Sequence, residues 1–155
     1  MKSVLHLAAA AVVALGLAAG GAQAAGGGDD DPPKNKDLVR AAALVDKGSY
    51  AEALPLLARA VAAEPKNADA YNYLGYSHRK LGDTEAALGF YRKALEIKPT
   101  HLGANEYLGE LYLELGDLKK AEERLAVLDT ACFFGCDEYS DLKEAIKAYK
   151  KRNGG

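Results

Sequence analysis

From Asp37 onward the apolar positions recur every three or four residues, the spacing of helices that bury one face. Leu38, Ala41, Ala42, Leu44 and Val45 mark the first such helix, and Gly48-Ser49 breaks it. Tyr50 to Glu64 repeats the pattern with Ala53, Leu54, Leu57, Ala60 and Val61, until Pro65 stops it. Two further helix pairs follow as near-copies. Shifted by 34 residues, Ala70 falls on Ala104, Tyr73 on Tyr107, Leu74-Gly75 on Leu108-Gly109, Leu81-Gly82-Asp83 on Leu115-Gly116-Asp117, and Ala87 on Ala121. The same shift carries Ala53, Ala60 and Pro65 onto Ala87, Ala94 and Pro99, so the first pair is a more divergent copy. A unit of this length holds two antiparallel helices that cannot bury their apolar faces alone, whereas stacked units share one continuous core. Beyond the third unit, Asp141 to Lys151 sets Leu142, Ala145, Ile146 and Tyr149 on one face and lysines on the other. That amphipathic helix, with its polar outer side, is suited to closing the stack.

Small residues set how closely the helices of a unit approach. Gly75 and Ala87 present no bulk at the crossing, and Leu74 and Tyr91 fill the space beside it. Gly82-Asp83 makes the turn, and Pro99 ends the second helix by pushing the residue before it out of helical geometry. With Tyr71, Ala94 and Pro99 at their positions, the second unit resembles a tetratricopeptide repeat. The third keeps Leu108, Gly109, Tyr112, Gly116 and Ala121 but has Asn105 for the aromatic residue and Leu128 for alanine. Its terminating proline gives way to Ala131-Cys132-Phe133-Phe134-Gly135-Cys136. The first unit lacks the aromatic and the Leu-Gly pair, as suits a terminal repeat. His78 stands where the family usually carries tyrosine and reads as a packing histidine. The resemblance covers about residues 36–133. It implies an all-α fold, a right-handed superhelical solenoid of three helix-turn-helix repeats at about 34–67, 68–101 and 102–135, closed by a C-terminal capping helix at about 138–152.

The first 35 residues are of another kind. Met1, Lys2 and the apolar run from Val4 to Ala19 form the leading regions of a signal peptide over residues 1–24, with Ala22-Gln23-Ala24 as its cleavage site. Residues 25–35, rich in Gly, Asp and Pro, read as a solvated linker before a repeat domain at 36–152. A periplasmic or secreted protein is therefore expected, not inserted in a membrane once the signal is removed. The formal charge of -2, or -3 without Lys2, gives no electrostatic reason for a nucleic-acid partner.

No nucleophile elbow, phosphate loop or paired catalytic carboxylates stand out, so neither an enzyme nor a cofactor is expected. Cys132 and Cys136 are the reactive groups, spaced C-x3-C. Exported cysteines ordinarily pair, and Gly135 between them breaks the helix and lets their Cβ atoms approach. A structural disulfide fixing the cap is the first reading; a thiolate pair for a soft metal is the alternative, although it needs further ligands. Phe133 and Phe134 are expected to pack between the third repeat and the cap. The repeats' first helices line an inner face, which the periodicity furnishes with Asn72, Tyr76 and Arg79, then Glu106, Glu110 and Leu113, with Leu38 and Ala42 from the first unit. One subclass of the family clamps a partner's C-terminal carboxylate, but Leu38 and Ala42 cannot hydrogen-bond an anion. The favoured function is a monomeric adaptor binding a protein or peptide in a concave groove. A thiol or metal-handling envelope protein and a self-associating scaffold are the alternatives. Intact-mass analysis of exported material should find a chain beginning at Ala25; retention of Met1 or Lys2 would exclude a cleaved signal.

Overall fold

The computed structural model describes residues 35–154, so the signal, the Asp29-Asp31 run and the linker up to residue 34 lie outside the described residues. Seven helices follow in order: α1 (Lys36–Asp46), α2 (Tyr50–Ala63), α3 (Ala68–Lys80), α4 (Thr84–Ile97), α5 (Leu102–Glu114), α6 (Leu118–Ala131) and α7 (Asp137–Arg152). They form three antiparallel hairpins and a closing helix, an all-α solenoid. None is long and apolar enough to cross a membrane.

Local chemistry sets most helix ends. Asn67, Asp83 and Asp117 each accept the backbone N–H three residues on, from Ala70, Ala86 and Lys120, relieving donors left unpaired in a first turn. His101, 34 residues after Asn67, does the same for α5 through Nδ1, which accepts from Ala104 N at 3.1 Å. The turns within the hairpins need a left-handed residue, and Gly48, Gly82 and Gly116 supply it with φ of 76°, 83° and 79°. His78 packs beside Phe90 with ring centres 5.2 Å apart, its Nδ1–H donating to Asp83 Oδ2 at 3.0 Å.

The crossing of α3 and α4 is as tight as the sequence implies. A Cβ on Gly75 would lie 2.6 Å from the fully buried Tyr91 ring. In the third hairpin the same device serves a different neighbour. A Cβ on Gly109 would meet Leu142 of α7 at 2.6 Å, so the closing helix, rather than α6, fills this notch. Leu142 is fully buried and Ile146 nearly so. Burying a leucine contributes about 1.5–3 kcal/mol, more than an exposed ion pair such as Lys150–Glu122 between α7 and α6.

The third hairpin also exchanges one contact type for another. Tyr71 and Phe90 stack at 6.5 Å between α3 and α4. Thirty-four residues on, the corresponding pair is Asn105 and Arg124, joined by an Nη1–H to Oδ1 hydrogen bond of 3.3 Å. Asn105 is fully buried, and its Nδ2 donates to the carbonyls of Pro99 and His101, so its burial leaves no polar atom unpaired.

Cys132 and Cys136 are joined as a disulfide, S–S 2.07 Å, closing the turn between α6 and α7. Phe133 and Phe134 do not pack between the third repeat and the cap as the sequence suggests; they are 87% and 97% exposed. Gly135 at φ 86° and the closed turn leave both rings outside, against each other at 5.3 Å, while Leu128, Tyr139 and Leu142 occupy the interior.

Two alanine substitutions should move stability in opposite directions. Gly75→Ala forces the Tyr91 ring aside and should cost about 1–3 kcal/mol. Gly89→Ala, in α4 with open space around its Cα, should gain about 1 kcal/mol in helix propensity. Chemical denaturation reads both, and equal midpoints would contradict the crossing geometry.

Candidate functional site

A cavity of about 420 Å³ opens where the first helices of the three hairpins meet the start of α7. Helix α3 contributes Asn72 and Tyr73 and, one turn further on, Tyr76. Helix α5 contributes Gly103, Glu106 and Tyr107, with its capping His101 at the edge. Val45 and Asp46 come from the end of α1, Tyr50 from the start of α2 and Glu138 from the first turn of α7. The tyrosines pack on one another: Tyr76 lies 5.9 Å from Tyr50 edge-on and 4.8 Å from Tyr107. One face of Tyr76 already carries the Lys80 ammonium, 5.0 Å from the ring centre.

The electrostatics of this cavity point one way. Glu106 is 7% exposed, and among the described residues its carboxylate has neither a hydrogen bond nor an ion pair. Burial, reinforced by Glu110, Asp141 and Glu138, pushes it up to about 8, against a weaker pull downward from Arg79. Burial likewise pushes the Tyr107 phenol up to about 12, with Glu106 as the next cause. The Tyr73 phenol is raised by burial, then by Asp46 and Asp69. Each shift opposes adding a negative charge. Asn72 is 8% exposed, and its Oδ1 faces no donor. His101 is committed elsewhere: with Nδ1 accepting from Ala104, its Nε2–H donates to Asp69 Oδ1 at 2.8 Å.

The residues expected on the inner face separate into two groups. Asn72, Tyr76 and Glu106 meet in the cavity. Arg79, Glu110 and Leu113 instead border a smaller hollow of about 200 Å³, completed by Glu114 and by Ala145, Ala148 and Arg152 of α7. Arg79 bridges α3 to α5, donating through Nη1 to Glu110 Oε2 at 2.6 Å and through Nε to Glu114 Oε1 at 3.0 Å. Burial disfavours its charge, but those carboxylates more than restore it. The single channel expected for Tyr76, Arg79 and Glu110 is therefore divided, because Arg79 is satisfied between repeats and α7 covers this end.

Leu38 and Ala42 do not line the cavity; Leu38 packs on the core of the first hairpin. Val45, Asp46, Tyr50 and Glu138 take part instead. A signal existed for some of them, since Tyr73 and Tyr107 recur in register and Asp46 and Tyr50 flank the Gly48 turn. A wider, shallower hollow of about 620 Å³ lies between α6 and α7, walled by Leu125, Ile146 and lysine stems. Among the described residues no group of three histidines, cysteines or carboxylates is arranged to hold a metal. In the bonded state neither Cys132 nor Cys136 is a thiolate, so a soft-metal site there would require reduction first.

Two sequence-family models, both described as tetratricopeptide repeat, match residues 38–102 and 78–146. No relative among curated proteins matches the sequence. Among solved structures, the chain is similar to the Sgt2 tetratricopeptide domain from Aspergillus fumigatus, at 21% identity and TM-score 0.68, covering 79% of this chain and 80% of that one. It is also similar to SycD, the type III secretion translocator chaperone of Yersinia enterocolitica, at 15% identity, TM-score 0.67 and coverage of 77% and 84%. A third similar structure is PcrH in complex with the chaperone binding region of PopD, at 18% identity, TM-score 0.66 and coverage of 76% and 90%. At these identities the likeness is one of fold.

Glu106 makes stability depend on pH. In the folded chain it keeps its proton to about pH 8, whereas in the unfolded chain it loses it near its ordinary value of 4.5. The folded state therefore binds the extra proton between those values, and this contribution to stability falls as pH rises through that window. Glu106→Gln should leave the melting temperature unchanged at pH 4.5 and raise it at pH 8.5 by roughly 4 °C, the shift expected for about 1 kcal/mol in a domain of this size. Equal melting temperatures for the two proteins at pH 8.5 would contradict the burial of an unpaired carboxylate.

Proposed function

Because the chain belongs to the tetratricopeptide repeat family, we propose that it is a protein-interaction module, working as an exported monomer in the periplasm or outside the cell, that binds a polypeptide segment in the groove of its first helices. One observation carries this reading above the others. The cavity on that face holds large aromatic surface together with the Asn72 amide oxygen, buried without a donor, a combination that costs stability in the free protein and that a ligand would offset. Tyrosines suit the task, since each offers a wide contact area and a polar end with few rotatable bonds.

The fold relative PcrH, solved with a segment of PopD, is a precedent for a chain of this architecture holding a polypeptide. No catalytic role is assigned. The carboxyl-rich lining opposes the family's carboxylate-clamp mode, because a C-terminal anion would be set against Asp46, Glu106 and Glu138. The thiol reading is less favoured because the cysteines are bonded to each other and neither lines the cavity.

Photo-crosslinking in the source cell tests the groove. A benzophenone amino acid replacing Tyr76 should capture a partner polypeptide, and the same group replacing the exposed Arg92 of α4 should not. Capture from position 92 and not from position 76 would move the binding site off this face.

A further inference from the structure

We propose that the cavity between α3, α5 and the start of α7 is a receptor for a guanidinium group, an arginine side chain of the bound polypeptide. The inference rests on the groove reading above and assigns the chemistry of its central contact. It begins with what the cavity offers. Asn72 Oδ1 is a buried acceptor without a donor, and Glu106, a residue 7% exposed, has no ion pair. Asp46 and Glu138 add carboxylates at the rim from two further helices, and no lysine or arginine is among the lining residues. The one ring that could have carried positive charge, His101, is held by Asp69 and the α5 N-terminus. A ligand that brings donors and positive charge meets acceptors here and no competing cation among the lining residues.

The shape of the lining narrows the choice. Tyr50, Tyr76 and Tyr107 present ring surfaces around one space, and a planar guanidinium combines stacking on such faces with several N–H donors in a fixed fork. Tyr76 already holds one cation in this way, since Lys80 caps a face of its ring. Gly103 leaves room beside the amide: a Cβ there would crowd Asn72 Nδ2 at 3.2 Å. Arg79 does not satisfy Glu106 internally, because Glu110 and Glu114 occupy its guanidinium. Burial is the main cause of the raised proton affinities of Glu106, Tyr107 and Tyr73, and neighbouring carboxylates add to each, a contribution that would favour a cation.

The test uses the full chain and two probes of equal size, Nα-acetyl-arginine methylamide and its uncharged analogue Nα-acetyl-citrulline methylamide, with NMR-detected titration at pH 8.5. The arginine probe should bind about tenfold more tightly than the citrulline probe, the ratio expected for one charge-assisted contact. Glu106→Gln, which keeps the shape of the side chain, should abolish that preference, and Glu138→Gln should reduce it several-fold. Thermal melts of both variants establish that they are folded. Equal affinity for the two probes in the unaltered protein, or a preference that survives Glu106→Gln, would overturn the inference. Capture of a polypeptide from position 76 with no arginine preference would remove this inference and leave the groove reading standing. Arginine preference with capture only from position 92 would leave a guanidinium site in the cavity but remove the groove-bound polypeptide as the source of that group.

Discussion

The absence of a side chain at two glycines is the constraint on which the rest of the structure depends. Gly75 admits the Tyr91 ring, and Gly109 admits Leu142, at distances that no Cβ could share. The first contact closes a hairpin. The second docks a closing helix onto the hairpin before it, and through that helix Glu138 reaches the cavity and Asp141 adds to the field at Glu106. Packing that is ordinary for a helical repeat thus sets the electrostatics of the inner face. Dispersion and apolar burial hold this arrangement, since its surface ion pairs are individually too weak to set helix positions.

Polar groups then divide the inner face into a satisfied half and an unsatisfied half. Arg79 shows the first case. It is nearly buried, but two carboxylates on α5 surround it, so the pair fixes the register of neighbouring hairpins and offers little to a ligand. Asn105 with Arg124 is a second satisfied group, standing where Tyr71 and Phe90 stack one repeat earlier. Glu106 and the Asn72 amide show the opposite case, buried among tyrosines without partners. The same degree of burial thus has two meanings. Where partners are present it reports assembly, and at Asn72 their absence leaves an acceptor on the cavity wall.

The fold was largely legible in the sequence because its determinants are local and repeated. The 34-residue register of Ala70, Tyr73, Leu74-Gly75 and Gly82 carries helix, turn and crossing together. The site was legible only in part. Asn72, Tyr76 and Glu106 follow from helical spacing, but equivalence by register pointed to Leu38 and Ala42 in the first unit. There α1 is shorter than α3 and α5, and it is the residues at its end, Val45 and Asp46, that reach the cavity. The pairing of Arg79 with Glu110 and Glu114 spans more than 30 positions and depends on how two helices meet, which periodicity does not encode. Phe133 and Phe134 were misread for a related reason: apolar character argues for burial, but a closed turn with a left-handed glycine decides direction first.

The first helices carry an electronegative, tyrosine-lined cavity whose chemistry suits a cationic segment of another polypeptide. Backbone amide mapping with a short arginine-containing peptide tests it most directly, because it reports position without altering a side chain. Shift changes on titration should gather at Val45–Asp46, Asn72–Tyr76, Gly103–Tyr107 and Glu138. Changes confined to the hollow between α6 and α7, around Leu125 and Ile146, would contradict it.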